Sequence, residues 1–303
     1  MNSIKKIFIL ALAFFSINST TFATHIAGGN ISYSCTGNPN EFLVTLTLYR
    51  DCSGVSAPNS PGIQFSNTCG LTNPATLFLS LQSSSEVSQL CTPEVPNSTC
   101  GSGSLPGMQE YIYTGTVILN PVCDAWTMSY EVCDRNPSTN LVGTNCFFIE
   151  SSLYSATVAC NNSPIITAQP IPYVCANVPV SYDFGLLEPD GNSLVFSLVN
   201  ALGGGGVNCA YVGGYSAAIP IPGININPST GQLNFTPTVA GNFVITVLIE
   251  EFDGLGNLVG TMMHDIQFVV QVCTNTPPNA PFTITNFDDF GTNAVLTGAN
   301  TIT

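Results

Sequence analysis

Hydrophobic and polar positions alternate with a period of two along much of this chain. In Glu41–Asp51 (EFLVTLTLYRD), Phe42, Val44, Leu46 and Leu48 alternate with Leu43, Thr45, Thr47 and Tyr49. That is the pattern of a strand with a core face and a threonine-rich outer face. In Ser193–Val199, Leu194, Phe196 and Leu198 alternate with Ser193, Val195 and Ser197. In Asp265–Val272, Ile266, Phe268, Val270 and Val272 alternate with Asp265, Gln267 and Gln271. Further strands are predicted at Ala27–Cys35, Ala75–Gln82, Tyr111–Leu119, Ala125–Cys133 and Cys146–Val158. Between strands lie turn sequences such as Pro189-Asp190-Gly191-Asn192, Asn227-Pro228-Ser229-Thr230-Gly231 and Asp253-Gly254-Leu255-Gly256-Asn257, whose residues favour tight reversals. No helical period survives beyond residue 23. The expected fold class is all-β, with two tandem β-sandwich domains.

Breaks in the pattern divide the chain. Met1–Ala23 reads as a signal peptide: Lys5 and Lys6 precede the apolar run Ile7–Ile17, and Thr21-Phe22-Ala23 offers a cleavage site before Thr24. The alternative is an N-terminal membrane anchor, but the run is shorter than the roughly 20 residues a bilayer span needs. Residues 24–163 are expected to form the first sandwich and residues 164–273 the second. Asn161–Val174 (NNSPIITAQPIPYV) reads as a stiff, proline-rich linker between them. A second linker, Thr274–Pro281, leads into an incomplete β tail that ends at Thr303.

The 12 cysteines behind an export signal read as disulfides formed in an oxidising compartment. No Cys-x-x-Cys occurs, which argues against zinc ribbons, thioredoxin-like chemistry and haem attachment. Cys91–Cys100 and Cys123–Cys133 are expected as local pairs, and Cys175 with Cys273 as a clamp on the second domain. Cys209, in a glycine-rich loop, is expected to be the one left unpaired.

The segments EPDGNSL, NPSTGQLNFTP, AGNFVITVLIEEFDGLGN and IQFVV, within Tyr182–Cys273, resemble the cadherin-like and immunoglobulin-like repeats of bacterial surface proteins. The first segment departs from that pattern: Leu187 and Glu188 stand where the repeats often carry Thr-Asp, and Asn192 replaces an Asp. Upstream, THIAGGNISYSC, EFLVTLTLYRDC, YIYTGTVIL and the run from Trp126 to Asn136 resemble the region preceding such a repeat in large surface proteins of gliding bacteria. The resemblance implies an immunoglobulin-like second domain used for display, spacing or adhesion. Many relatives end in a sorting domain for type IX secretion, and no such domain is read before Thr303.

Composition narrows the partners. Charged residues are 7% of the chain and the formal net charge is −14. After removal of the signal, Arg50 and Arg135 remain as the only basic side chains against 18 acids. This excludes a basic phosphate-binding surface and nucleic-acid partners, and disfavours anionic membranes. No later apolar run reads as a membrane span.

Groups for catalysis are scarce. His25 and His264 are the only histidines. Gly214-Tyr215-Ser216-Ala217-Ala218 is a near miss of the nucleophile elbow, without its last Gly and without a strand-turn-helix context. Gly203–Gly206 lacks the Lys of a phosphate loop. Paired-carboxylate glycoside hydrolysis finds no two acids placed across a cleft, and Trp126, the only tryptophan, reads as core. The chain is therefore expected not to be an enzyme.

The acidic turns are the candidate site. Asp183, Glu188, Asp190 and Asn192 cluster in one turn region, and Glu251 and Asp253 end a strand in another. Calcium takes six to eight oxygen ligands from such turns, and Glu251-Phe252-Asp253 with Gly256 and Asn257 resembles the D-x-D-x-G element of cadherin-like repeats. The alternative is turns whose Asp and Asn bond their own backbone. Two functions follow: a non-enzymatic surface or secreted protein for adhesion, spacing or matrix contact, or a ligand-binding accessory module, for instance for polysaccharide. An exposed aromatic row would favour the second, and an evenly polar surface the first.

Overall fold

The computed structural model describes residues 25–273, apart from 72, 73, 75, 121, 134, 144, 145, 158, 159, 171 and 172, together with two short tail strands, Leu296–Gly298 and Thr301–Ile302. The expected signal peptide and most of the expected tail lie outside the described residues. Two compact units are present, one through Gln271 and one over Val272–Thr303. The two tail strands pair antiparallel within the second unit.

The described residues of the first unit form seventeen strands. In chain order these are β1 (Ile26–Cys35), β2 (Glu41–Asp51), β3 (Gly62–Asn67), β4 (Thr76–Phe78), β5 (Ser80–Glu86), β6 (Met108–Ile118), β7 (Trp126–Val132), β8 (Phe147–Leu153) and β9 (Ile165–Ile166). They continue as β10 (Tyr173–Cys175), β11 (Val180–Tyr182), β12 (Leu186–Leu187), β13 (Ser193–Val199), β14 (Asn225–Ile226), β15 (Leu233–Phe235), β16 (Gly241–Phe252) and β17 (Leu258–Gln271). The helical elements described are two 3-10 turns, Thr92–Asn97 and Gly204–Gly206. The chain is all-β, as its alternation predicts.

The main sheet runs β4-β3-β7-β8-β17-β1-β2-β6-β5. Its first and last strands are separated in sequence by Leu79 alone, so the path returns to its own start. Leu79 is fully buried at that corner, and its amide bonds the Pro61 carbonyl at 2.8 Å. Inside the path lies one core, with Trp126, Tyr113, Phe42, Phe147 and Leu46 among its residues.

Strand β17 joins this path to the rest of the molecule. It pairs antiparallel with β8 and β1, antiparallel with β16 along nearly its whole length, and parallel with β10. A second core forms behind it, from Tyr182, Phe184, Phe196, Leu233, Phe235, Phe243 and Phe268 with Met262, Ile266 and Val270 of β17. Alternate residues of β17 face opposite ways, and Met263 belongs to the first core. Both faces of the strand are therefore covered, and its burial is almost continuous from Val259 to Phe268. Gly28 on β1 marks how closely the two strands approach: a Cβ there would lie 2.5 Å from the Asp265 carbonyl oxygen.

The main sheet draws strands from both sides of the expected boundary between residues 163 and 164, and the first core takes Leu202 and Met263 from beyond it. The expected linker is docked rather than free. Asn161 and Ser163 are buried, Ser163 exchanges hydrogen bonds with Tyr33 of β1, and β9 pairs with β12.

The disulfides correct the expected local pairs. Cys100 bonds Cys52, Cys123 bonds Cys69, and Cys133 bonds Cys146, with Cys35–Cys160 as a further bridge. Cys91–Cys100 and Cys123–Cys133 do not form. The reason is strand pairing: Cys69 and Cys123 flank the β3–β7 ladder at Asn67 and Trp126, and Cys133 and Cys146 flank the β7–β8 ladder at Val132 and Phe147. These two bridges sit at ladder ends, so strand pairing and not nearness in sequence decides which cysteines meet. Cys175 and Cys273 are disulfide-bonded too, as the expected clamp requires. Cys209 is free, as expected, and so is Cys91.

Candidate functional site: an acidic junction beside β17

Four of the six expected site residues converge. The carboxylates of Glu188, Asp190 and Glu251 each place an oxygen within 4.8 Å of the others, and Asn192 joins them. Glu251 lies near the end of β16, fully buried, opposite Gly260 of β17. A glycine is needed there because a Cβ would stand 2.7 Å from Glu251 Oε2 and 2.6 Å from Tyr33 Oη. The missing side chain makes the space in which the carboxylate sits.

The donors around it come from three parts of the chain. Asn161 Nδ2 and Asn192 Nδ2 each donate to Glu251 at 2.8 Å. Glu188 accepts the amides of Asp190 at 3.1 Å and Asn192 at 2.6 Å, which folds the turn before β13. Asp190 accepts the amide and side chain of Asn162, both at 2.7 Å, and Asn162 Oδ1 accepts the Cys35 amide at 2.9 Å. The network ties the end of β1, the 161–163 segment, the turn before β13 and the end of β16 into one junction. Burial pushes Glu251 up to about 7; the Asn192 and Asn161 hydrogen bonds oppose that shift and Glu188 adds to it.

Every carboxylate oxygen in this group already accepts one hydrogen bond, but each keeps a second lone pair. The donor set is all oxygen, in the class that calcium takes. The three carboxylates are the oxygens that could hold such an ion, while Asn161 and Asn192 turn their amide nitrogens toward Glu251.

The other two expected residues stand apart. Asp183 closes its own turn by accepting the Gly185 amide at 2.7 Å. Asp253 caps the β16–β17 hairpin, accepting from the Leu255 and Asn257 amides at 2.9 and 2.8 Å and from Asn257 Nδ2 at 2.9 Å. These bonds hold its carboxyl below the usual carboxylate range. Both are turns whose acids bond their own backbone, the alternative weighed from sequence. A second group, Glu131 with Cys133 and Cys146, offers no thiolates, because its sulfurs form a disulfide.

The histidines occupy contrasting places. His264 is buried in the second core with Phe184 edge-on at 5.3 Å, and neither ring nitrogen has a hydrogen-bond partner. Burial lowers its pKa to about 4; the nearby Gly29 backbone opposes the shift but does not reach hydrogen-bond geometry. His25 Nδ1 lies 3.5 Å from Ser53 Oγ, and Ser53 donates to Asp51 at 2.7 Å. This trio was not legible in the sequence. It has the residue types of an acyl-transfer triad in the wrong order, because the serine proton is held by the aspartate and no acid orients the imidazole. Ser216, in the near-miss elbow, accepts only the Ile219 amide. Trp126 is fully buried in the first core, and Gly205 in the glycine run donates to Glu131 at 2.9 Å.

No helix among the described residues is long and apolar enough to cross a membrane. No family model, curated protein or solved structure matches the chain.

Proposed function

We propose that this chain works outside the cytoplasm as a non-enzymatic contact protein, serving adhesion, spacing or matrix contact through the faces and edges of its sheets. The observation that carries the reading is β5. It ends the main-sheet path, pairs only with β6, and exposes Ser80–Ser85 on both faces. Its sequence, SLQSSSE, has neither the Lys nor the Pro with which proteins blunt an open edge. Phe78 is the exposed aromatic among the described residues, which therefore show no exposed aromatic row. The likeness to cadherin-like and immunoglobulin-like repeats supports the same reading, as does the sealing of His264 in a core. The disulfides fit an oxidising compartment.

Within this reading the Glu188–Asp190–Glu251 junction is the place for a calcium ion. The ion would neutralise the junction's charge and stiffen it.

The test is a binding assay with the mature chain coupled to beads. Beads are expected to be retained on extracellular matrix from the source cells. Ser83→Lys with Ser85→Lys should abolish retention while leaving the thermal midpoint unchanged. Turnover of ester, peptide or glycoside substrates that depends on Ser53 or His25 would overturn the proposal.

A further inference from the structure

The three-stranded sheet β11-β15-β14 carries a groove that neither the acidic junction nor the β5 edge uses. It is a shallow, open groove of about 450 Å³ whose lining includes Val180, Ser181, Asn225, Asn234, Phe235 and Thr236. Three of these stand in a row across the strands: Ser181 is opposite Asn234, and Asn234 is opposite Asn225. Residues directly opposite in a sheet project from the same face, at strand spacings of about 4.8 Å. The row is thus a fixed comb of one hydroxyl and two amides.

Two facts give the comb a ligand chemistry. Among the described residues the side chains of Asn225, Asn234 and Thr236 make no hydrogen bond, while Ser181 Oγ accepts only Gln232 Nε2, at 3.1 Å. Each Asn amide therefore offers a donor pair and an acceptor outward. No ionisable side chain lines the groove, and a chain of net charge −14 repels anions. The platform is also rigid, because Tyr182, Leu233 and Phe235 from the same strands are buried in the second core. Little ordering cost would fall on binding.

We propose that this groove binds a neutral, β-linked oligosaccharide segment, with Asn225 and Asn234 each bridging neighbouring sugar hydroxyls and Ser181 and Thr236 at the rim. The proposal rests on the contact reading above and names the partner of one face. An extended β-linked glycan presents hydroxyls in a repeating row, and the comb matches it with uncharged donors and acceptors. Without an exposed ring to stack on, affinity is modest and comes from several such rows or copies acting together.

The test is calorimetric titration of the mature chain with cellohexaose, laminarihexaose, chitohexaose and hexagalacturonate. At least one neutral hexamer is expected to bind with Kd below about 1 mM, and the acidic hexamer not at all. Asn225→Ala with Asn234→Ala should weaken binding about tenfold or more with an unchanged thermal midpoint. Should that pair disturb the sheet, Thr236→Ala at the exposed rim is expected to weaken binding in the same direction. No heat from any neutral hexamer, binding indifferent to these variants, or displacement by an extended Ser/Thr peptide overturns the proposal. Because the β5 substitutions leave the groove intact, loss of edge-mediated retention and loss of saccharide binding are separately readable.

Discussion

Arg135 and Asp265 stand 130 residues apart in the chain and meet at 2.8 and 3.0 Å in its interior. Their side chains are 3% and 1% exposed. Arg135 also donates to the Leu202 carbonyl at 3.1 Å, and its guanidinium lies 5.1 Å from the centre of the Phe147 ring. Thr246 donates to the far oxygen of Asp265 at 3.0 Å. The pair pins the chain after β7 to the face of β17 that also carries Met263, and neighbouring Asn136 bonds Gln267 at 2.8 Å.

Breaking one partner leaves a buried charge alone. Arg135→Ala or Asp265→Ala is expected to cost about 3–5 kcal/mol, and Arg135→Ala with Asp265→Ala together less than the sum. Urea unfolding of the four proteins measures this; additive losses would show that the two residues are not coupled.

The first core is closed by a strand that arrives late in the chain. A fragment of residues 25–163 lacks β17, which lies between β8 and β1 in the path. The fragment is expected to lack fixed packing, with weak near-ultraviolet dichroism and strong dye binding. A synthetic peptide of residues 255–271 should restore order. A fragment that folds cooperatively alone would refute this account of β17.

Glu251 titrates in the folded state at about 7, against an ordinary value of 4.5. Between those values the native state holds a proton that the unfolded state has lost, so its contribution is present below about 4.5 and declines as pH rises to about 7. The carboxyl keeps some contact with polar neighbours, so the decline is on the order of 1–2 kcal/mol. Glu251→Gln should remove it. Millimolar calcium should raise the melting temperature at pH 8 and not at pH 5, where Glu251 is protonated. No shift at pH 8 would remove calcium from the proposed function.

His264 gives the opposite slope. Its folded value is near 4, against 6.5 for the free side chain. The unfolded state takes up a proton first, so the contribution is complete above about 6.5 and is lost as pH falls to about 4, on the order of 3 kcal/mol. Between about 4.5 and 6.5 the two slopes oppose each other. His264→Leu should therefore leave a curve that falls with rising pH, and Glu251→Gln one that falls with acid. Parallel stability curves for the two variants would contradict the assignment.

Thiol labelling separates the free cysteines. Cys91 is exposed and Cys209 buried, and burial pushes the Cys209 thiol up despite Arg135 nearby. One thiol should react in the native protein, and two in denaturant without reductant. Two fast-reacting thiols in the native protein would place Cys209 at the surface.

Much of the strand content was legible in the sequence. The predicted strands at Glu41–Asp51 and Ser193–Val199 coincide with β2 and β13, because one face of each is more buried than the other. The predicted strand from Asp265 caught only the second half of β17. Its first half, with Val259, Met262, Met263 and His264 all buried, has no exposed face and so no period of two to read. The single strand predicted over Ala75–Gln82 is two, because the chain turns at Leu79 from pairing with β3 to pairing with β6.

The candidate site was half legible for a related reason. Turn composition marks where acids cluster, so Glu188, Asp190 and Asn192 could be found. That Glu251 joins them depends on the register of β16 against β13, where Glu251 stands opposite Leu194, and spacing does not encode that register. Asp183 and Asp253 look the same in sequence, yet each is consumed by its own turn. Asn161 and Asn162, which hold the junction, were read as linker because nothing local distinguishes an asparagine that spans from one that docks.

The antiparallel rungs between β1 and β17, Gly28 with Ile266 through Asn30 with His264, set how this unit would respond to tension. Ile26 begins one strand and Gln271 ends the other, so a pull applied at these two residues loads the same end of the ladder. Hydrogen bonds loaded that way rupture singly, like a zip, instead of sharing the force in shear. Pulled at Ile26 and Gln271, this unit should therefore open these rungs in turn at low force.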